Sequence, residues 1–499
     1  MIRFKLGQAR QLALANRTGA AIDGYRRVLE QYPDHLAAAV GAWLTLPQIY
    51  PSQPDVQLTR DRFEAGLRWL LANLQRFARL PPQQCFEQIF WVNFHLAYQG
   101  HDDTRLQSDY GDFVTGLVSR QLPALCLPLL AASPRGRRIR VGFASGFFRQ
   151  CTVGGYFQRW ITHLDRTRFE TFVYHSSPRR DGLTRQIASQ CDHFVDLAAP
   201  EFGSLEGCGR RILDDHLDVL IYPELGMDPH SFLLASLRLA PVQCAGWGHP
   251  VTSGLVSIDY FLSSRDAEPP NADQHYRETL ILLDGLGVSY PRPASSSAKQ
   301  RADFGLPEAA TLYLCSQSLF KLHPDFDPLL ARVLAQDDTG RLLLFEADTP
   351  ALTRCYLDRL SSVFSSFNLD LEQRVIVLPY LRHPDYLALN RVCDVMLDPP
   401  YWSGGNTALD ALASGLPIVT FEGRFMRGRQ SAAMLKQLGL PQLIANDFDD
   451  YLRIVHALVH DTAWRGNVIH QLVDRVDTLF DQTAALASFE RFLLQAVDA

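Results

Sequence analysis

A glycine turn followed by a helix is the most informative chemical pattern in the sequence. In the segment DPPYWSGGNTALDALASGLPIVTFEG, Gly404 and Gly405 form a tight turn after a strand, and Asn406 or Thr407 begins a helix. Free backbone amides at a helix N-terminus after such a turn make an anion site that suits a pyrophosphate. Asp410 lies one turn inside the helix and can accept hydrogen bonds from both hydroxyls of a ribose. The alternative, glycines that only shape the loop, fits this pattern equally well.

A lysine follows the strand of residues 311–315 in the segment CSQSLFKLHP. Gln317 and Lys321 both come after the carboxyl end of this strand. A lysine in that place can neutralise a leaving phosphate while negative charge develops on it. Taken alone, Lys321 fits an exposed loop lysine somewhat better than a catalytic one.

The segment LAPVQCAGWGHPVTSG contains a loop with little room for side chains. Gly246, Gly248 and Gly254 surround His249 and Pro250. Such a loop can press its backbone against a sugar. We therefore take His249 as a catalytic candidate, although a single histidine is more often structural.

Other chemistries have little support in the sequence. It contains no phosphate loop of the G-x-x-x-x-G-K-[ST] type, no H-E-x-x-H helix and no G-x-S-x-G elbow. Two D-x-D triplets, Asp325/Asp327 and Asp447/Asp449, can in principle hold a divalent metal. Both stand at predicted helix starts, where aspartate is favoured as a cap. We therefore expect neither a metal site nor a cofactor.

Composition excludes several classes of protein. The chain has 499 residues and a net charge of −6, which argues against a nucleic-acid binder with a broadly basic surface. The nine cysteines are dispersed without a C-x-x-C pair, as in a reduced intracellular protein. The first residues lack the apolar core of a signal peptide. The sequence also contains no run of 18 apolar residues, so it predicts no membrane span. These features predict a cytoplasmic location.

The sequence pattern changes from helical to alternating near residue 133. The segment AAIDGYRRVLEQYPDHLAAAV has helical periodicity and resembles half of a tetratricopeptide unit, without a clear second copy. Strands and helices then alternate in two successive series, which predicts two doubly wound parallel sheets. We expect an α/β protein with a helical domain (1–133) and two facing Rossmann-like lobes (138–303 and 306–499). Ligands of such lobes bind where the carboxyl ends of the strands open into the crevice.

Together, several phrases resemble glycosyltransferase family 41, the O-linked N-acetylglucosamine transferase and SPINDLY-like proteins. The phrases are IRVGFASGFF, LRLAPVQCAGWGHPVTSG, DYFLSS, ADQHYRETL, CSQSLFKLHP, RVIVLPY and WSGGNTALDALASGLPIVTFEG. They occur in the family's order from about residue 139 to 450. The resemblance implies a metal-independent, inverting enzyme of the GT-B fold. Such an enzyme takes a UDP-sugar and glycosylates an acceptor protein or peptide, without nucleic acid or a membrane span.

The resemblance also implies roles for individual residues. Lys321 matches the family's lysine on the donor pyrophosphate, and Asp410 matches its ribose-binding acid. The family's phosphate turn corresponds to Gly404, Gly405, Asn406 and Thr407. Its uracil contacts fall at Leu381, His383 and Tyr386, and the neighbourhood of its donor sugar at Gly248 and Pro250.

One departure from the family pattern affects the chemistry. Where the family has a histidine after the first strand of the glycosyltransferase region, this chain has Cys151, and the aspartate of the animal enzymes is replaced by Phe147. Cys151 is therefore a candidate catalytic position of uncertain role. The leading hypothesis is transfer of N-acetylglucosamine from UDP to Ser or Thr. The alternatives are Asn-linked glucosylation, O-fucosylation from a GDP donor, and a catalytically silent nucleotide-binding scaffold.

Overall fold

The computed structural model describes residues 2–129, 136–294 and 297–498 of the chain. The first of these ranges is helical, as the sequence predicts, and the boundary expected at residue 133 lies outside the described residues. Its α-helices are α1 (Ile2–Leu14), α2 (Thr18–Gln31), α3 (Leu36–Leu44), α4 (Gln53–Ala72), α5 (Leu74–Phe77), α6 (Pro82–Gln88) and α7 (Thr104–Gln121). A 3₁₀ helix spans Phe94–Gln99. Helices α1, α2 and α3 pack one on the next.

The first lobe is a seven-stranded parallel sheet with helices between its strands. Its strands are β1 (Ile139–Ser145), β2 (Phe169–His175), β3 (His193–Asp196), β4 (Val219–Tyr222), β5 (Val242–Gly246), β6 (Tyr260–Ser264) and β7 (Thr279–Leu283). Its helices are α8 (Thr152–Thr162), α9 (Gly182–Gln190), α10 (Leu205–Leu213) and α11 (Pro229–Ala235). The strand order is β3–β2–β1–β4–β5–β6–β7. The carboxyl ends of β1, β4 and β5 therefore lie side by side.

The second lobe is a six-stranded parallel sheet in the order β10–β9–β8–β11–β12–β13. Its strands are β8 (Leu312–Leu314), β9 (Arg341–Phe345), β10 (Val375–Leu378), β11 (Val395–Leu397), β12 (Ile418–Phe421) and β13 (Ile444–Ala445). Its helices are α12 (Asp327–Ala335), α13 (Pro350–Ser366), α14 (Leu371–Arg374), α15 (His383–Val392), α16 (Asn406–Ala413), α17 (Gln430–Gln437), α18 (Phe448–His460) and α19 (Thr462–Arg475). The prediction of two α/β lobes behind a helical region is confirmed.

Three strands of the structure are not predicted from the alternation of strands and helices in the sequence. The structure adds β6 and β7 to the first sheet and β13 to the second, none of which the analysis of alternating segments assigns. Strand β7 is partly exposed, and β13 has two residues. A two-residue strand such as β13 gives no sequence pattern, whereas β6 and β7 contain the apolar runs of residues 260–262 and 280–283, which are typical of strands.

The helical domain holds the loop after β5 in place. Gly254 has φ of 70°, and a Cβ added there would collide with the carbonyl of Gln107 in α7. Arg277 donates a hydrogen bond to the Gly254 carbonyl (2.9 Å) and pairs with Asp112 of α7 (2.7 Å). The loop that contains His249 is therefore positioned by a neighbouring domain as well as by its own sheet.

The last helix of the chain returns to the first lobe. Helix α20 (Thr483–Asp498) packs against α8 and β7. The Phe489 ring stacks on Trp160 of α8 with the ring centroids 4.4 Å apart, and both side chains are fully buried. The chain thus ties the two lobes together through a buried aromatic contact. Among the described residues, no helix is both long and apolar enough to cross a membrane.

The stacked aromatic pair predicts a measurable loss of stability. Replacing Phe489 with Ala leaves a cavity beside Trp160 and should cost about 3–5 kcal/mol of unfolding free energy. The matched control is Phe4→Ala, because the Phe4 side chain is 68% exposed and the change should cost no more than about 0.5 kcal/mol. Urea unfolding followed by tryptophan fluorescence measures both variants. Equal transition midpoints would show that α20 contributes nothing to the first lobe.

Candidate active site

Asp398 fixes the glycine turn at the carboxyl edge of the second sheet. The residue follows β11 and is buried, and its carboxylate accepts the Gly404 N–H (2.7 Å) and the Thr420 hydroxyl (2.7 Å). Burial raises the pKa of Asp398 to about 6, while these donors and the nearby Lys321 favour the ionised form. Helix α16 then begins at Asn406 without a side-chain cap. Its first amides therefore point beyond the helix, where they can bind an anion.

Lys321 and Gln317 lie beside this turn, as the sequence analysis expects. The Gln317 amide donates to the Thr407 hydroxyl (2.7 Å), and the Lys321 ammonium donates to the Gln317 carbonyl oxygen (3.2 Å). The ammonium nitrogen also lies 5.5 Å from the ring centroid of Trp402. Burial lowers the pKa of Lys321 to about 8, and the charge of Asp398 opposes that shift. A cation and free helix amides thus share one site.

Asp410 already has partners within the chain. Its buried carboxylate accepts hydrogen bonds from Nε2 of His383 (3.1 Å to each oxygen) and from the Asn406 amide (3.0 Å). The bond to Asp410 raises the pKa of His383, and burial raises that of Asp410. The Tyr290 hydroxyl of the first lobe donates to the side-chain amide oxygen of Asn406. A ribose in this place would share Asp410 with His383.

The remaining residues expected to bind the nucleoside lie around the start of α15. His383 is its first residue, and Leu381, two residues earlier, is partly buried. Tyr386 lies in the first turn of α15, and its ring centroid is 5.9 Å from that of Phe345. His383 contacts Asp410 directly, and burial together with the nearby charge of Asp410 raises the pKa of Tyr386. Contact of the three side chains with a base stays a prediction.

His249 is enclosed by aromatic rings. Its ring stacks on Phe94 of the helical domain (5.4 Å between centroids) and lies 6.0 Å from the ring of Trp402. Burial, together with the nearby charges of Arg427 and Lys321, lowers the pKa of His249 to about 3. The imidazole is therefore neutral and too weakly basic to accept a proton efficiently. Pro250 and its neighbour Val251 are buried behind it.

The two lobes meet at the glycine turn. A Cβ added at Gly405 would collide with the hydroxyl of Tyr156 in α8 and with the amide oxygen of Gln430 in α17. The Tyr156 ring packs on Trp247, with centroids 4.8 Å apart, and Trp247 precedes Gly248. A larger residue at position 405 would therefore have to displace one or both of these side chains. The loop beside the expected sugar thus faces the expected phosphate turn.

Cys151 stands at the start of α8, close to the carboxyl end of β1. Its thiol donates to the carbonyl of Phe147 (3.4 Å) and is partly buried. Burial raises the pKa of Cys151, the charge of Glu224 adds to the rise, and backbone amides with Arg149 oppose it. The thiol is therefore protonated at neutral pH and suits a pocket-lining role better than that of a base.

The D-x-D triplets have structural partners. Asp327 is buried in a bidentate pair with Arg359 (2.7 and 3.0 Å), and Asp325 accepts the Tyr401 hydroxyl (2.9 Å). Asp447 caps α18, and Asp449 pairs with an arginine of α12. Within the described ranges, no group of three or more His, Cys, Asp or Glu side chains is placed to hold a metal ion.

Sequence reasoning missed several groups that complete the site. Tyr156 and Tyr290 contact the turn from the first lobe, and both lie outside the quoted motifs. Glu224 follows strand β4 by two residues and is fully buried near Gly248. An acidic residue just past a strand in the segment DVLIYPE is the available signal for Glu224, because ligands bind at that edge of a parallel sheet.

Comparisons with known proteins agree with this geometry. The model named glycosyl transferase family 41 matches residues 129–285 and 289–486. A probable UDP-N-acetylglucosamine–peptide N-acetylglucosaminyltransferase SPINDLY of Solanum lycopersicum is 25% identical over 334 residues, which cover 66% of this chain and 35% of that protein. A UDP-glucose:protein N-beta-glucosyltransferase of Actinobacillus pleuropneumoniae is 25% identical over 279 residues, covering 54% of this chain and 43% of that protein.

A solved structure extends the likeness to the whole fold. A mutant O-GlcNAc transferase of Thermobaculum terrenum has a TM-score of 0.66 at 22% identity, covering 100% of this chain and 98% of that one. The present chain spans about a third of the length of the SPINDLY proteins that it matches. The family model, in contrast, matches well over half of the chain. The chain therefore belongs to glycosyl transferase family 41.

Proposed function

We propose that this protein transfers a sugar from a UDP-sugar to a protein side chain, with N-acetylglucosamine on Ser or Thr as the leading case. The observation that carries the proposal is the contact from Lys321 through Gln317 to Thr407 at the uncapped start of α16. Family membership and relatives named as sugar–protein transferases support it. The relative named as an N-glucosyltransferase favours Asn-linked glucose as the second candidate.

The site supplies positive charge without a metal. As the bond between sugar and phosphate breaks, charge develops on the β-phosphate, where the Lys321 ammonium and the amides of residues 405–407 can stabilise it. Asp410 would orient the ribose, and Gly248 would leave room for the sugar. Metal independence follows from this arrangement as a proposal, and the cytoplasmic location stays a prediction.

Nucleotide binding and acceptor mass test the proposal together. Isothermal titration compares UDP, UDP-GlcNAc, UDP-glucose and GDP-fucose, and we expect the uridine nucleotides to bind. Intact mass spectrometry of co-expressed proteins then reports the sugar that is transferred. Tight UDP binding without any modified protein would favour the silent scaffold, and binding of GDP-fucose alone would favour O-fucosylation.

The ribose assignment predicts weaker UDP binding after loss of Asp410. Asp410→Ala removes a charged acceptor and should weaken UDP binding by about 1.5–3 kcal/mol, which is about 10- to 150-fold in Kd. Asp474→Ala is the control, because Asp474 is exposed on α19. Titration calorimetry measures both. An unchanged Kd for Asp410→Ala would remove the assignment.

The lysine assignment predicts a rate loss that chelation does not reproduce. Lys321→Ala should lower turnover about 10²–10³-fold, by analogy with loss of one donor to the transition state. EDTA should leave the wild-type rate unchanged. Lys436→Ala, at a half-exposed lysine paired with Glu422 on the second lobe, serves as the control. A rate that disappears with EDTA and returns with Mn²⁺ would instead implicate the aspartate triplets.

The raised pKa of the Cys151 thiol predicts a spectator role. Cys151→Ala should keep turnover within about threefold of wild type, or about 0.7 kcal/mol in activation free energy. Cys151→His tests in parallel whether an imidazole at this position speeds the reaction. A loss beyond about a hundredfold in Cys151→Ala would mean that sulfur takes part in proton transfer.

A further inference from the structure

A fully buried carboxyl group lies at the carboxyl edge of the first sheet, with the Ser145 hydroxyl nearby but no hydrogen bond of acceptable geometry to its oxygens among the described residues. Glu224 follows β4 by two residues, and neither of its side-chain oxygens has a partner of acceptable geometry among the described residues. Leaving a buried polar group unpaired costs about 1–3 kcal/mol or more. A side chain held in this way is suited to a ligand that brings the missing partner.

The segment around Glu224 packs against the loop that is expected to contact the donor sugar. The Gly248 N–H donates to the Pro223 carbonyl (2.8 Å), and a Cβ added at Gly248 would lie 3.0 Å from Cβ of Glu224. Gly226, with φ of 97°, approaches the ring of His249 in the same way, at 2.9 Å from its added Cβ to Cδ2. Glu224 therefore packs against the loop that contains Gly248 and His249.

The same loop connects Glu224 to the phosphate turn across the cleft. A Cβ added at Gly248 would lie 3.0 Å from the ring of Phe157. A Cβ added at Gly405 would collide with the hydroxyl of Tyr156, the residue next to Phe157. Glu224 also lies close enough to Cys151 for its charge to raise the pKa of that thiol. The carboxyl group thus lies near Cys151 at the start of α8.

We propose that Glu224 is the proton acceptor of the transfer reaction, an inference that depends on the proposed function. As the acceptor oxygen forms its bond to the anomeric carbon, its proton passes to a Glu224 oxygen. The electron pair of the breaking sugar–phosphate bond goes to the β-phosphate oxygen that faces Lys321. Glu224 of the first lobe thus receives the proton, and Lys321 of the second lobe stabilises the negative charge on the phosphate. The proton later passes from Glu224 to water.

The environment of Glu224 gives the reaction a defined pH dependence. Burial raises the pKa of Glu224 to about 8, and Asp228 at the start of α11 adds to the rise. The Ser145 hydroxyl at the end of β1 opposes it, and the Cys151 thiol of α8 and the His249 ring are uncharged neighbours. Only the ionised carboxylate accepts a proton, so the rate should rise with pH up to about 8. Lys321 stays protonated there when a bound diphosphate raises its pKa.

Substitution by glutamine tests the role while keeping the shape of the protonated acid. Glu224→Gln should lower kcat about 10²–10⁴-fold and abolish the rise of rate with pH. Its Kd for UDP should stay within about twofold of wild type, because the nucleotide does not need the proton acceptor. Glu224→Asp should recover part of the rate and of the pH dependence. The assay measures the UDP released from UDP-GlcNAc and from UDP-glucose. One reaction contains the protein that the wild type modifies as the acceptor, and a second contains water alone.

A second buried glutamate of the same lobe provides the matched control. Glu268 has its pKa raised to about 7 by burial, but its carboxylate accepts the hydroxyls of Ser263 and Tyr276. Glu268→Gln should keep the wild-type pH profile. If Glu224→Gln transfers at the wild-type rate with the wild-type profile, the role is overturned and the proposed function stands. If the wild type binds UDP but releases none from either UDP-GlcNAc or UDP-glucose, the proposed function fails, and this role fails with it.

Discussion

The hydrogen bond from the Gly404 amide to the buried Asp398 carboxylate is the interaction on which the candidate site depends. It fixes the turn between β11 and α16, and the other oxygen of Asp398 ties that turn to Thr420 in the neighbouring strand. The carboxylate is tolerated in the interior because donors and a nearby lysine compensate its charge. The first amides of α16 consequently keep one orientation toward the cleft.

The helical domain contacts both lobes and helps to position the parts of the site that they carry. Asp103 is buried and accepts Arg60 of its own domain (2.7 Å) and Arg427 of the second lobe (3.1 Å). On the other side of the cleft, Arg277 binds the loop after β5 to α7. The domain therefore acts on the site through positioning, since its Phe94 also covers His249. Removing one partner of the Asp103 cluster would leave a buried charge unpaired.

The fold and the second-lobe half of the site follow from the sequence because they depend on local signals. A glycine turn before a helix, and a lysine after a strand, each reveal their position through neighbouring residues. The contribution of the first lobe depends on contacts between distant segments, as when Tyr156 meets Gly405, and no short motif encodes such contacts. Likewise, the burial of Glu224 and of His249 depends on neighbouring loops and on the helical domain, so their pKa shifts are visible only in the folded chain.

The diphosphate of the donor is expected to bind where Lys321 and the start of α16 meet. A crystal structure of the protein with UDP tests this assignment most directly. We expect the β-phosphate within hydrogen-bond distance of the Lys321 ammonium and of amides of residues 405–407, with the ribose hydroxyls on Asp410. A diphosphate bound elsewhere, such as on a metal ion held by Asp447 and Asp449, would contradict the account.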